Sequence, residues 1–302
     1  MKKKKLLLLG ASGMLGNALF LTIFNSNNFL IKGTIRNKNK KIFSDDIYKN
    51  SIIRDVDVTN FKKLEKIITK FKPDFIINCI GITNKQISRI PKSIVFKINS
   101  LLPFFLSQIS EIKNNKFIHI STDCVFDGKD SEYYEDSYKT ATDIYGVTKS
   151  IGEEINKSEN SLVIRTSIIG HEITKKEGLL EWFLNQKKNV DGYKNVIYSG
   201  LTTLELSKII MKILKKNKIF GLYHISSNKI SKYNLLLMIK KKYNLEIDIK
   251  KNFSIKKKLI LNSKKFQKDT GIIVKNWSKQ IQEMKKFYTD KQLLVLKKIN
   301  CK

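Results

Sequence analysis

The feature that most limits how this chain can fold is a seven-residue stretch near its start, Gly10-Ala11-Ser12-Gly13-Met14-Leu15-Gly16. It lies between four consecutive leucines, Leu6 to Leu9, and a helical pattern over residues 14–24. A short unbroken apolar run suits a strand buried on both faces. Glycines at this spacing permit a tight turn, let the backbone approach a phosphate, and let the next helix sit close on its strand. The helix then presents unpaired N–H groups and the positive end of its dipole. Gly10, Ser12, Gly13, Met14 and Leu15 are therefore the candidate phosphate-binding positions, and the expected ligand is a nicotinamide dinucleotide.

The same region has a competing reading. Lys2 to Lys5 followed by leucines resembles the start of a signal peptide, and no charge occurs from Leu6 through Leu30. The glycine pattern interrupts the apolar run after four residues, so a buried strand and a helix are expected instead of a targeting segment. No second long uncharged apolar run stands out, and no membrane span is expected.

Apolar runs alternate with helical patterns along the first half. Strands are expected at residues 5–9, 29–35, 51–56, 74–80, 116–121 and 161–166, with helices at 60–71, 91–112 and 143–157 between them. This alternation predicts an α/β fold, a Rossmann-type doubly wound parallel sheet. Beyond Thr166 the rhythm loosens, with helices expected at 178–188, 203–216, 233–243, 264–268 and 278–289 and a strand at 221–226. Residues 1–166 are expected to form the dinucleotide-binding domain, with return segments near 197–226. Residues 167–302 would form mainly a smaller C-terminal substrate-binding lobe.

The net charge of +31 comes almost wholly from lysine; Arg36, Arg54, Arg89 and Arg165 are the only arginines. Surfaces evolved to read nucleic acid use arginine for bidentate and stacking contacts. An even lysine excess is compositional, so nucleic acid is not an expected partner, although the field attracts small anions. Cys79, Cys124 and Cys301 form neither a metal-ligand spacing nor a disulfide framework, which fits reduced thiols and a cytoplasmic setting.

The second expected strand ends Gly33-Thr34-Ile35-Arg36. An acidic residue there binds the ribose 2′-hydroxyl of NAD, whereas arginine suits the 2′-phosphate of NADP. Arg36 thus favours NADP(H), with NAD(H) as the alternative. Tyr145 and Lys149 stand four apart and share a helix face. A cation beside a phenol is expected to lower its pKa and ready it for proton transfer at a carbonyl. Tyrosine and lysine are so frequent that this spacing alone has little weight; its place after the fifth strand supplies the context. That strand runs into Ser121-Thr122-Asp123-Cys124-Val125-Phe126-Asp127-Gly128, where a hydroxyl can stabilise developing oxyanion charge. His119 and His224 read as core or strand-edge residues, while His171 and Glu172, in the loop after the sixth strand, are candidates for lining the substrate site.

The Gly10, Gly13, Gly16 spacing resembles the extended branch of the short-chain dehydrogenase/reductase superfamily. Ser-Thr-Asp-x-Val-Phe-Asp-Gly, then Tyr145-Gly-x-Thr-Lys149-x-x-Gly-Glu153, then Arg165-Thr166-Ser167, resembles the dTDP-4-dehydrorhamnose reductase family. The resemblance implies reduction of the 4-keto group of a nucleotide-linked 6-deoxysugar in nucleotide-sugar and polysaccharide biosynthesis. It implies Thr122, Tyr145 and Lys149 as the catalytic triad, with Thr122, Asp123, Tyr145 and the Ile168 position toward the sugar. It further implies Asp57 and Val58 at the adenine, and Cys79, Ile80 and Gly81 along the cofactor ribose, with Asn99 a common polar position. Two departures fall on the sugar side: Cys124 stands where the family usually has Tyr, and Ile168 where well-known members have Trp. The implied partner is a nucleotide-sugar, and a homodimer is an open assembly. Alternatives are an epimerase or dehydratase of the same superfamily, or a silent NADP-binding regulatory subunit.

Overall fold

A computed structural model describes residues 3–36, 43, 46–130, 132–173, 177–216 and 219–300. The lysine-rich residues just after Arg36, and Cys301, lie outside them. Seven parallel strands form the central sheet: β1 (Lys4–Leu9), β2 (Phe29–Thr34), β3 (Ile52–Ile53), β4 (Phe75–Asn78), β5 (Lys116–Ile120), β6 (Ser161–Arg165) and the late segment Gly221–His224. Across the sheet the order is Gly221–His224, β6, β5, β4, β1, β2, β3. Every pair is parallel. The order reverses between β1 and β4, and this switch point opens a crevice beyond the carboxyl ends of the strands.

The leucine run explains why the sheet has two covered faces. Leu6 to Leu9 are all fully buried. Leu6 and Leu8 enter one core with Leu19 and Phe20 of helix α1 (Met14–Ser26) and with Ile209 and Ile213 of the helix Thr203–Lys216. Leu7 and Leu9 enter the opposite core with Leu64 and Ile68 of α2 (Phe61–Phe71) and with Leu106 and Ile109 further on. Alternate side chains of a strand face opposite ways, so a wholly apolar strand needs helices on both sides.

Several expected elements are shorter or broken. The third strand has only two residues, because Asp55 takes a left-handed φ of 59° and interrupts the ladder, which resumes in one bond from Val56 N to Ile35 O at 3.1 Å. The single helix expected over 91–112 is three pieces: Lys92–Phe96, a π-helical turn Lys97–Leu101, and Leu102–Ile112. This stretch is long and apolar enough to cross a membrane by length and composition, although Lys92, Lys97 and Glu111 keep it from being an uncharged run. It packs against the sheet through Val95, Ile98, Leu102, Leu106 and Ile109. The helix expected over 143–157 is α-helical from Ile144 to Gly152 and then tightens into a 3₁₀ turn, Glu153–Lys157. The helix expected at 178–188 covers only Leu179–Leu184.

Of the return segments expected near 197–226, the helix Thr203–Lys216 and the strand Gly221–His224 join the main sheet and its core. Val196–Tyr198 pairs with Ile230–Ser231 and Lys257–Leu259, and Leu201–Thr202 pairs with Ile168–Ile169. A second core holds this C-terminal part together, built from Leu180, Phe183, Leu204, Leu235, Ile239, Trp277 and Met284.

Candidate active site

The crevice at the switch point is a cleft of about 1070 Å³. The glycine loop forms one wall. Gly10 holds a left-handed φ of 85°, and a Cβ on Gly16 would sit 2.0 Å from the Gly10 carbonyl oxygen. That contact is what lets α1 start against the end of β1. No side chain caps the N-terminus of α1, so its first N–H groups face the cleft with the positive end of the helix dipole. Gly16→Ala is expected to displace this helix start, cost about 1–3 kcal/mol and weaken dinucleotide binding. Thermal unfolding and a fluorescence titration with NADPH read the two effects; unchanged values would refute the close approach.

The sixteen residues expected to catalyse or to bind cofactor or sugar all line this one cleft. Gly10, Ser12, Gly13, Met14, Leu15 and Arg36 come from the first β-α-β unit, and Asp57 and Val58 from the loop beyond β3. Cys79, Ile80 and Gly81 follow β4, Thr122 and Asp123 follow β5, and Tyr145, Lys149 and Ile168 complete the set. Asp57 is not a helix cap; Asn60 caps α2, and Asp57 Oδ1 instead accepts from Thr59 N at 2.9 Å and Thr59 Oγ1 at 2.8 Å. These bonds, with smaller help from Arg36 and Lys97, hold its carboxyl below the usual range.

The π-helical turn has a local purpose. It places Asn99, fully buried, where Oδ1 accepts from Ile82 N at 2.8 Å. Its Nδ2 donates to Ile82 O at 3.0 Å and Thr148 Oγ1 at 3.1 Å. One amide thus ties the loop after β4 to the helix that carries Tyr145 and Lys149. Nothing in the helical spacing of 91–112 announces the extra residue in that turn.

Ser121 and Thr122 divide their roles. The Ser121 hydroxyl donates to Glu153 Oε1, so it is engaged away from the cleft. Thr122 Oγ1 accepts from Cys124 N at 3.1 Å and donates to Asp123 Oδ1 at 3.2 Å. Burial pushes the Asp123 carboxyl up, with Lys232 pulling the other way. Burial and the neighbouring Asp123 push the Cys124 thiol up to about 12, so it is an inert sulfhydryl.

One electrostatic expectation fails. Tyr145 is not held low by Lys149; burial raises its pKa, Cys124 and Asp123 add to the rise, and the Thr122 hydroxyl only partly offsets it. The Lys149 ammonium, itself lowered to about 8 by burial, is turned to the end of β5. There its Nζ meets His119 Nε2 at 3.1 Å and donates to Ile120 O at 2.8 Å. A phenol raised in this way stays protonated at neutral pH, which is the form a proton donor requires.

His171 does not reach the cleft. It is bound to Glu181 Oε1 at 2.7 Å and to the Tyr243 hydroxyl at 2.9 Å inside the C-terminal lobe. Its neighbour Glu172, singled out with it from the sequence, does line the cleft, and the lobe adds two residues that sequence reasoning missed, Trp182 and Lys232. Trp182 puts an indole on the lobe side of the cleft, although Ile168 occupies the position where a Trp was expected from the family pattern. The Lys232 ammonium lies 4.2 Å from the centre of the Tyr198 ring and faces Asp123. Lysine is so frequent here that no sequence signal separated Lys232 from its neighbours.

A dTDP-4-dehydrorhamnose reductase from Aggregatibacter actinomycetemcomitans is 27% identical over 247 residues, 78% of this chain and 78% of that protein. A solved structure described as a hypothetical dTDP-4-dehydrorhamnose reductase from Sulfolobus tokodaii shares 28% identity with a TM-score of 0.73, covering 87% of this chain and 94% of its own. The dTDP-4-dehydrorhamnose reductase of Bacillus anthracis, solved in complex with NADP, has a TM-score of 0.78 at 19% identity over 94% of this chain and 99% of its own, a likeness of fold. The family model described as the RmlD substrate binding domain matches residues 4–289, and the chain belongs to that family.

Proposed function

We infer that this protein is an NADPH-dependent reductase of a nucleotide-linked 4-keto-6-deoxysugar. The observation that carries the reading is the convergence of Thr122, Tyr145 and Lys149 in one cleft with the glycine loop. The relatives named as dTDP-4-dehydrorhamnose reductases support the substrate class. Residues 1–166 would then hold the cofactor, and residues 167–302 would supply most of the sugar contacts, with Trp182 and Lys232 among them.

The cleft suits the cofactor: an uncapped helix start, backbone brought close by Gly10 and Gly16, and Arg36 at the end of β2. When bound, the reduced nicotinamide supplies a hydride to the keto carbon. Thr122 orients the carbonyl oxygen through its hydroxyl. Tyr145 donates its phenolic proton to that oxygen as negative charge develops there. Lys149 holds ribose hydroxyls and offers positive charge to the phenolate left behind.

A direct assay is the loss of NADPH absorbance on adding a dTDP-4-keto-6-deoxysugar. Firm NADPH binding with no turnover of any nucleotide-linked keto sugar would overturn the reductase reading. Arg36→Ala is expected to weaken NADPH binding about tenfold or more, the loss of a charge-assisted contact to the 2′-phosphate, and to leave NADH binding unchanged. Equal losses for both cofactors would contradict the role given to Arg36.

A further inference from the structure

Lys149 contacts a fully buried histidine that the reaction as described does not use. His119 lies mid-sheet on β5, with 0% of its surface exposed, and Asn78 of β4, equally buried, sits beside it. The orientation of Asn78 is set by its own neighbour, since its Oδ1 accepts from Ile80 N at 3.0 Å. Its Nδ2 must then be the atom 3.3 Å from His119 Nδ1. An amide nitrogen only donates, so His119 Nδ1 must be bare and accept. A neutral imidazole with a bare Nδ1 carries its proton on Nε2. That proton points at Lys149 Nζ, 3.1 Å away.

An ammonium has three donors and no acceptor, so an imidazole N–H facing it would set donor against donor. An uncharged amine resolves the conflict: its lone pair accepts from His119 Nε2–H, and it donates to Ile120 O at 2.8 Å. We propose that His119, locked by Asn78 as the Nε2–H tautomer, is a positioning residue that favours the uncharged amine of Lys149 in the empty cleft. Above about pH 8, cofactor uptake is then coupled to proton uptake from solvent, as Lys149 leaves His119 for the ribose hydroxyls and becomes the ammonium that the chemistry needs.

The other groups around Lys149 fit this state. The Cys79 thiol is pushed up to about 12 by burial and stays neutral. The Tyr145 phenol is protonated. Glu153, one turn further along the helix, favours the charged lysine, but its carboxylate is already paired with Arg165. Burial holds the Lys149 ammonium down to about 8 and keeps the His119 imidazole well below its ordinary range, with the Lys149 charge a second cause. His119 therefore remains neutral and able to hold one tautomer.

The inference depends on the reductase reading only for what Lys149 does once cofactor binds, and its test needs no ligand. The chain has three histidines, so a ¹⁵N-histidine spectrum of the full protein resolves each ring, with His171→Gln assigning one signal. The expected result is a neutral His119 with a protonated Nε2 and bare Nδ1 from pH 6 to 9. A protonated Nδ1 overturns the proposal. In ¹³C-lysine spectra, with Lys149→Arg marking the resonance, Lys149 should titrate near 8. His119→Gln supplies an oxygen that accepts from an ammonium, so the midpoint should rise by about one unit or more. A wild-type midpoint in the ordinary lysine range, or identical midpoints in the two proteins, would also overturn it. The wild-type spectra decide the matter even if the variant does not fold.

Discussion

Tyr145→Phe should lower turnover of a nucleotide-linked keto sugar by about 10²–10⁴-fold, the usual worth of a positioned general acid, while NADPH affinity is unchanged. The ring remains to pack in the wall of the cleft, and only the hydroxyl is lost. The loss should fall on kcat more than on KM, because the proton is needed in the transition state. Because burial holds the wild-type phenol above its ordinary value, reduction should not collapse through loss of this acid as pH rises from 7 to 9. A Phe variant as active as the wild type would remove Tyr145 from the mechanism.

Arg165→Met should cost about 3–5 kcal/mol of stability, the largest expected effect of any surface or core charge change. Arg165 and Glu153 side chains are 3% and 0% exposed and meet at 2.9 Å. The guanidinium also donates through Nε to both carboxylate oxygens at 3.1 Å and through Nη1 to Glu135 O at 3.2 Å. Glu153 takes a further hydrogen bond from Ser121. Removing the arginine leaves a buried carboxylate without its counter-charge, at the point where the catalytic helix meets the ends of β5 and β6. Replacing both partners with apolar residues should restore part of the loss, since no charge is then stranded. Lys129→Met breaks an exposed pair with Asp127, whose lysine is 85% exposed, and should change stability by less than about 1 kcal/mol. Urea unfolding compares the three; an Arg165→Met loss as small as that of Lys129→Met would refute the assigned role.

Both effects trace to a motif readable in one dimension. Tyr145, Lys149, Glu153 and Arg165 all belong to the pattern that marks the family, yet they separate into two tasks once folded. Tyr145 and Lys149 line the cleft, while Glu153 and Arg165 lie beneath it and brace it. Spacing could place them on one helix and the next strand, but it could not say which carboxylate was buried.

What the sequence determined by itself was the parallel sheet and its ligand-binding edge. Leu6 to Leu9 demanded cover on both faces, the glycines demanded a close helix start, and the alternating elements demanded crossovers; these are local rules acting over few residues. The sixteen residues named from the glycine loop, the strand ends and the family resemblance line one cleft, because the ends of successive strands share one edge. What only the tertiary structure decided concerns contacts between segments far apart in the chain. The raised pKa of Tyr145 depends on the burial that surrounding elements impose. Trp182 and Lys232 reach the cleft because the C-terminal lobe folds back over the sheet. The tautomer of His119 depends on Asn78, 41 positions away. Desolvation and long-range hydrogen bonds set these properties, and neither has a period that a sequence can display.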